Sequence, residues 1–322
     1  MPWAVGFLLL TFLPMLALLA LSMTRTSGPL NDTRFEWIWA DHYRGALSVD
    51  SSYALSAADP WYWRILGGKP NDGRFYTSLY NSLFYSLFAV PLGLCSSLAV
   101  AMLLNRSFRG MSLIRACVYL PHILGGVATI VIWSWLFNPQ FGWINQVIRL
   151  LYEALDPVVR LFREDGTGDW SMPGWLYSPM WCKPAVIIMC IWTMGGSMLI
   201  FLAALRRVPR MLHEAAALDG AGHWHRFRNV TLPHITPVVL FNLIVSLIFS
   251  MQAFNESYML QNRAQNDGLL FYVLYLYRCA FEPPYRVGYA SALAWIFFGL
   301  IGLLVLLAVR SARSWVFYEG DA

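Results

Sequence analysis

Charge is scarce in this sequence of 322 residues: Asp, Glu, Lys and Arg make up 13%, about half the share of an ordinary soluble domain. Lysine is nearly missing, present only at Lys69 and Lys183. Neither lies in a G-x-x-x-x-G-K-[ST] frame, because Gly67-Gly68-Lys69-Pro70 has the wrong spacing to cradle a phosphate, so any ATP hydrolysis must be supplied in trans. The five cysteines, Cys95, Cys117, Cys182, Cys190 and Cys279, form no C-x-x-C pair, so neither a zinc site nor a disulfide framework is indicated. His213, His223, His225 and His234 cluster in one loop, but positions two apart point to different faces of a helix, so no metal site is expected. No Ser-His-Asp or paired-carboxylate arrangement stands out, which leaves an enzyme reading weak, with no cofactor and no nucleic-acid partner expected.

Hydrophobic residues are abundant instead, at 58%, and the mean hydropathy is positive, which makes this an integral membrane protein. Six apolar runs have about the length needed to cross a bilayer: Trp3 to Met23, Tyr76 to Leu104, Met111 to Phe137, Pro184 to Leu205, Ile235 to Tyr258 and Val287 to Val309. The first is longer than a signal-peptide core, with no basic segment before it and no clean cleavage site after it, so a retained span is expected. Residues 1–75 then comprise the first span and first external loop, and residues 76–322 a five-helix domain with a polar loop at 206–234.

Charge placement supports both termini inside. That topology puts Arg106, Arg109, Arg115, Arg206, Arg207, Arg210, Arg226, Arg228, Arg310 and Arg313 on the cytoplasmic side against Glu214, Asp219, Glu319 and Asp321. Positive charge in short loops resists translocation, so this bias is the expected one. The first outer loop carries Trp37, Trp39, Trp61 and Trp63, read as headgroup anchors ahead of surfaces for a partner or sugar. After Pro139, Ile144, Val147, Ile148, Leu151 and Leu155 recur at helical spacing, the pattern of a helix resting on a membrane surface. The loop from Arg160 to Trp181, with Trp170, Trp175 and Trp181, either touches a partner outside the cell or is a passive insertion.

The polar turn from His213 to Pro233 lies between two apolar runs. Pro209 suits a first helical turn, Met211 to Leu218 are good helix formers, and Gly220 suits a left-handed cap. Ala215, Ala216 and Ala217 leave a low surface for close packing, and Glu214 sets a carboxylate amid arginines; alternatively, Glu214 merely pairs with Arg210 one turn back. Glu214-Ala215-Ala216, three residues, Gly220, nine residues and then Val230-Thr231-Leu232-Pro233 resembles the EAA loop of ABC importer membrane subunits, with Val230 where isoleucine is usual. The variant Ala217-Leu218-Asp219-Gly220-Ala221 looks most like the subfamily for sugars and glycerol phosphates. Leu120-Pro121 to Phe137-Asn138-Pro139, with Gly142 and Asn145, and Gly288-Tyr289-Ala290-Ser291-Ala292 again resemble the first permease of maltose-type importers. Gln261 to Gly268 departs from it, standing where T-x-G-G-P is common.

The resemblance implies an all-α fold of the type I ABC importer permease with six transmembrane helices, in a bacterial inner (plasma) membrane. It implies two ATPase subunits gripping Glu214, Ala215, Ala216, Asp219 and Gly220, a second permease, an external solute-binding protein and a sugar or polyol as cargo. In the fifth span, Asn242, Ser246 and Ser250 recur every four residues, with Ala253 and Asn255 further outward; such a stripe faces protein or water, and interhelical hydrogen bonding explains it as well as a substrate path does. The resemblance places a central substrate site on this helix. On the fourth span, Trp192, Gly195 and Gly196 offer a stacking face and room for a ligand, or ordinary packing. The rival functions are a channel or secondary transporter needing no ATPase, and a membrane scaffold or sensor.

Overall fold

The computed structural model describes residues 2–27, 34–51, 59–106, 109–162, 173–261 and 267–317. Trp170, residues 262–266 and the C-terminal acids Glu319 and Asp321 lie outside the described residues. Among the described residues, four helices are long and apolar enough to cross a membrane: Trp3–Ser22, Gly73–Leu104, His223–Leu260 and Val287–Ala312. Two bent pairs, Met111–Ile123 with Gly126–Leu136 and Cys182–Trp192 with Gly195–Arg207, raise the number to six if each pair counts as one span.

Both pairs break where a single straight span was expected. The first bends by 97° and the second by 46°. Pro121 lies just ahead of the first break, where its ring displaces a helical hydrogen bond, and Gly125 then takes φ +75°, a conformation that L side chains rarely adopt. At the second break the freed carbonyls find side chains: His122 Nδ1 lies 3.2 Å from the Thr193 carbonyl, and Thr193 Oγ1 donates to Cys190 O at 3.0 Å. The fifth span is also interrupted, its helix Leu232–Met251 giving way at Gln252 to Phe254 before the short helix Asn255–Leu260.

Proline also explains two turns of wider pitch. In Leu8–Phe12 and Phe227–Thr231 the helix adds a residue per turn, so Leu13 N–H bonds Leu8 O and Leu232 N–H bonds Phe227 O. Pro14 and Pro233 follow immediately. Each proline lacks an N–H and would press its ring on the carbonyl four residues back, and the wider turn relieves that clash.

The chain divides into two compact units: residues Met1–Ser82 with Leu270–Leu306, and Leu83–Leu269 with Leu307–Ala322. In the first, Asp72 Oδ1 caps the Gly73–Leu104 helix by accepting Phe75 N–H at 3.0 Å, while its Oδ2 accepts the hydroxyls of Tyr275 and Tyr289. One carboxylate therefore ties three helices. Asn81 donates to Leu270 O at 3.0 Å and Ser82 Oγ accepts Tyr272 N–H at 2.8 Å, satisfying backbone groups at the start of the Tyr272–Phe281 helix. Tyr272, fully buried, stacks on Phe297 with ring centroids 4.3 Å apart. Between its first helix and Gly73 this unit holds the antiparallel pair Thr24–Ser27 and Arg34–Trp37, the helices Asp41–Leu47 and Trp61–Leu66, and a two-residue pairing of Val49–Asp50 with Lys69–Pro70.

In the second unit, Ala101, Met111, Met198, Phe201, Leu205 and Ile235 belong to a buried apolar cluster. Arg115 closes the end of the Gly73–Leu104 helix, donating to Leu104 O from Nη2 at 2.7 Å and from Nε at 3.2 Å. The Phe137 to Asn145 stretch turns tightly: Asn138 Oδ1 accepts Gln140 N–H at 2.9 Å, and a Cβ at Gly142 would fall 2.4 Å from the Leu136 and Asn138 carbonyl oxygens. Asn145, at the start of the Trp143–Phe162 helix, accepts the Trp175 indole N–H at 2.8 Å.

Gly288 marks the tightest seat in the first unit, since a Cβ there would stand 2.1 Å from the Thr24 carbonyl oxygen and 3.0 Å from His42 Nε2. Gly288→Ala is therefore expected to destabilise the chain by about 1–3 kcal/mol, lowering its unfolding temperature in detergent; an unchanged temperature would refute this account. His42 Nε2 lies 3.1 Å from the same carbonyl. Burial pushes the imidazole below its ordinary pKa, outweighing the Thr24 carbonyl, which raises it. The unfolded chain thus binds the proton more readily, so this contribution is present above about pH 6.5 and is lost as pH falls through the lowered folded value. Thermal unfolding at pH 5.5 and 7.5 should show a smaller acid-induced drop in His42→Gln than in the parent chain; equal drops would exclude His42 as the source.

Candidate functional site

The Arg210–Leu218 helix follows a helix ending in Arg206 and Arg207, whose charges suit its C-terminus. Pro209 sits at the N-cap, one position before the helix. The other end is a Schellman turn: Ala221 N–H bonds Ala216 O at 2.9 Å, Gly220 N–H bonds Ala217 O at 3.1 Å, and Gly220 takes φ +77°. No residue of this helix is buried; Met211 is 76% and Leu218 91% exposed, with Ala215 exposed between them and Trp224 exposed just beyond. Positions 211, 215 and 218 share one face, so the chain presents an uncovered apolar stripe. Glu214 is exposed and, among the described residues, forms no ion pair with Arg210.

The returning strand of the loop is anchored differently. The turn His223–Arg226 runs into the wide turn Phe227–Thr231 and then into Leu232–Met251. Thr231 and Ile235 are buried, and Thr236 accepts the Phe317 N–H at 2.9 Å while donating to Pro233 O at 2.7 Å. The exposed Arg210–Leu218 helix thus hangs from a well-packed root.

Along the fifth span, Asn242 is buried and bonds Val238 O of its own helix at 3.1 Å, and Ser246 is half-buried. Ser250 donates to Leu247 O at 3.0 Å, leaving Ser86 to donate to Ser250 across 2.6 Å. Ala253 lies in the break after Met251, and Asn255 opens the following short helix against Gly126, where a Cβ would be 3.1 Å from Asn255 Nδ2. Trp192 packs edge-on to Trp133, ring centroids 5.8 Å apart. Gly195 and Gly196 are filled by neighbours: a Cβ would stand 3.1 Å from the Tyr119 ring and 2.9 Å from the His122 ring respectively.

Sequence reasoning missed Ser86, Thr129 and Trp133. Thr129 Oγ1 and Trp133 Nε1 are buried polar atoms without hydrogen-bond partners, the indole beside Trp192. Their signal was the i, i+4 spacing of two polar-tipped residues in a largely apolar helix, and for Ser86 the four-residue recurrence of Ser78, Ser82 and Ser86.

With this geometry in hand, residues 89–315 match the family of binding-protein-dependent transport system inner membrane components. The chain belongs to this family. The permease is 32% identical over 321 residues to the probable ABC transporter permease protein YesP of Bacillus subtilis (strain 168), covering 99% of this chain and 90% of that one. It is 30% identical over 254 residues to the lactose transport system permease protein LacF of Rhizobium radiobacter, covering 76% and 78%. Its fold is shared, at a TM-score of 0.71 and 21% identity, with a chain in the crystal structure of a bacterial ABC transporter involved in the import of the acidic polysaccharide alginate, covering 97% and 93%. The all-α permease fold and the ABC importer membership expected from the EAA loop are thus met.

The Ser86–Ser250 bond gives a measurable quantity. A double-mutant cycle of Ser86→Ala and Ser250→Ala should return a coupling of about 0.6–1.7 kcal/mol in unfolding experiments in bilayer-like detergent. A coupling of zero would mean that the hydroxyls do not hold the helices together.

Proposed function

We propose that this permease carries a sugar or related polyol across a bacterial inner membrane, with both termini in the cytoplasm. A solute-binding protein delivers the cargo outside, a second permease completes the path, and two ATPase subunits supply the ATP hydrolysis that this chain does not perform. The exposed apolar stripe of the Arg210–Leu218 helix carries the reading: Met211, Ala215 and Leu218 stand uncovered beside the free carboxylate of Glu214, the form of a plug for a partner's socket. Glu214, Ala215, Ala216, Asp219 and Gly220 form the contact, and the Schellman turn at Gly220 fixes its angle. A sugar cargo is supported by LacF, named for lactose transport, and by the alginate importer of the same fold.

In this reading residues 76–322 are the translocating body and residues 1–75 its first helix and outer cover. The path runs past Asn242, Ser246, Ser250, Ala253 and Asn255, with Trp192 as a stacking face and the buried donor of Trp133 beside it. ATP-driven closure of the ATPases moves the coupling helices and biases the membrane helices between inward- and outward-open arrangements. A Cβ at Gly220 would meet no atom within 4 Å, so a substitution there acts through the backbone, straining the left-handed turn by about 1–2 kcal/mol.

Gly220→Asp should therefore leave the chain inserted while lowering uptake by the assembled transporter at least about tenfold, the equivalent of roughly 1.4 kcal/mol of lost coupling. Uptake assays in vesicles, with co-purification of the ATPase as the assembly control, decide it. Normal uptake with the ATPase bound would sink the coupling role. Uptake by this chain alone in proteoliposomes would favour an ATPase-independent channel instead.

A further inference from the structure

A cavity of about 250 Å3 opens beside the Arg210–Leu218 helix, lined in part by Asn105, His213, His223, Arg226, Phe227 and Thr231. Among the described residues, no carboxylate lines it. The Arg226 Nε is buried without a hydrogen-bond partner, and among the described residues neither His213 nor His223 has one. A buried donor left unsatisfied is costly, and more so on a charged group, so the arrangement calls for an acceptor from outside the chain. The guanidinium fork matches phosphate oxygens in spacing and plane, imidazole N–H groups add donors, and the Thr231 hydroxyl and Asn105 amide extend the set. The volume falls below that of sites for drug-sized molecules, which fits a small anionic group.

We propose that this cavity binds a phosphate group, borne either by a soluble phosphate monoester or by a phospholipid headgroup. The bound phosphate bridges Asn105, just past the Gly73–Leu104 helix, to His213 on the Arg210–Leu218 helix and Arg226 on the returning turn. It braces the exposed helix against its root. Any effect on transport rests on the coupling reading above; binding itself does not.

The probe is radiolabelled inorganic phosphate, measured by equilibrium binding to the full chain in phosphatidylcholine nanodiscs at fixed ionic strength. One saturable site per chain is expected, weakened at least tenfold in Arg226→Gln and in His213→Gln. Arg226→Lys keeps the charge but loses the fork, and should also weaken binding, which keeps the test decisive if Arg226→Gln does not fold. Displacement of the label by glycerol phosphate, with no effect of phosphatidylglycerol in the discs, assigns the site to a soluble monoester; loss of the label in phosphatidylglycerol discs assigns it to lipid. Either result upholds the site. Absence of saturable binding, or equal binding by Arg226→Lys and His213→Gln, overturns it. Protection of Arg226 from chemical modification only in the ATPase complex, with no phosphate bound to the free chain, would also overturn it in favour of an acidic side chain of the partner.

Discussion

A backbone amide or carbonyl released inside an apolar environment must find another partner, and that demand shapes most of this molecule. Prolines at positions 14, 121 and 233 each remove a backbone donor from a helix. Two of the interruptions are absorbed by wide turns and one by a bend. Where side chains are needed, they are placed: His122 and Thr193 serve the bend at Thr193, Arg115 the end of the Gly73–Leu104 helix, Asn81 and Ser82 the start of the Tyr272–Phe281 helix. Several polar residues thus stand where the backbone is irregular.

The loop before Pro233 shows the same economy in reverse. Its root is buried at Thr231 and Ile235, while the Arg210–Leu218 helix has no buried residue. A helix of that length owes little to its own propensity and normally gains stability by burying one face. Here that face is uncovered, and the Schellman turn and the preceding arginines hold the shape.

The legible parts of the sequence were those written in periodicity and local turn chemistry. Apolar runs gave the spans, and Gly220 after Leu218 gave a helix stop that the structure realises at φ +77°. The 97° break was hidden because Leu124-Gly125-Gly126 sits within a stretch long and apolar enough to read as one span; what decides it is a positive φ at Gly125, which composition does not record. Ser250 was visible as part of a stripe, but its partner Ser86 lies 164 positions away, and pairing at that distance depends on tertiary packing. The cavity at Arg226 was hidden for the same reason: its walls come from three separate stretches of chain.

The wide turn at Phe227–Thr231 also gives the spacing between Gly220 and Pro233 a rotational meaning. Each residue of a helix turns its direction by about 100°. The loop length therefore sets a phase as well as a reach: one residue more or fewer would re-aim the carboxylate of Glu214 by roughly a quarter turn around its root, leaving every side chain present and the exposed helix facing another way.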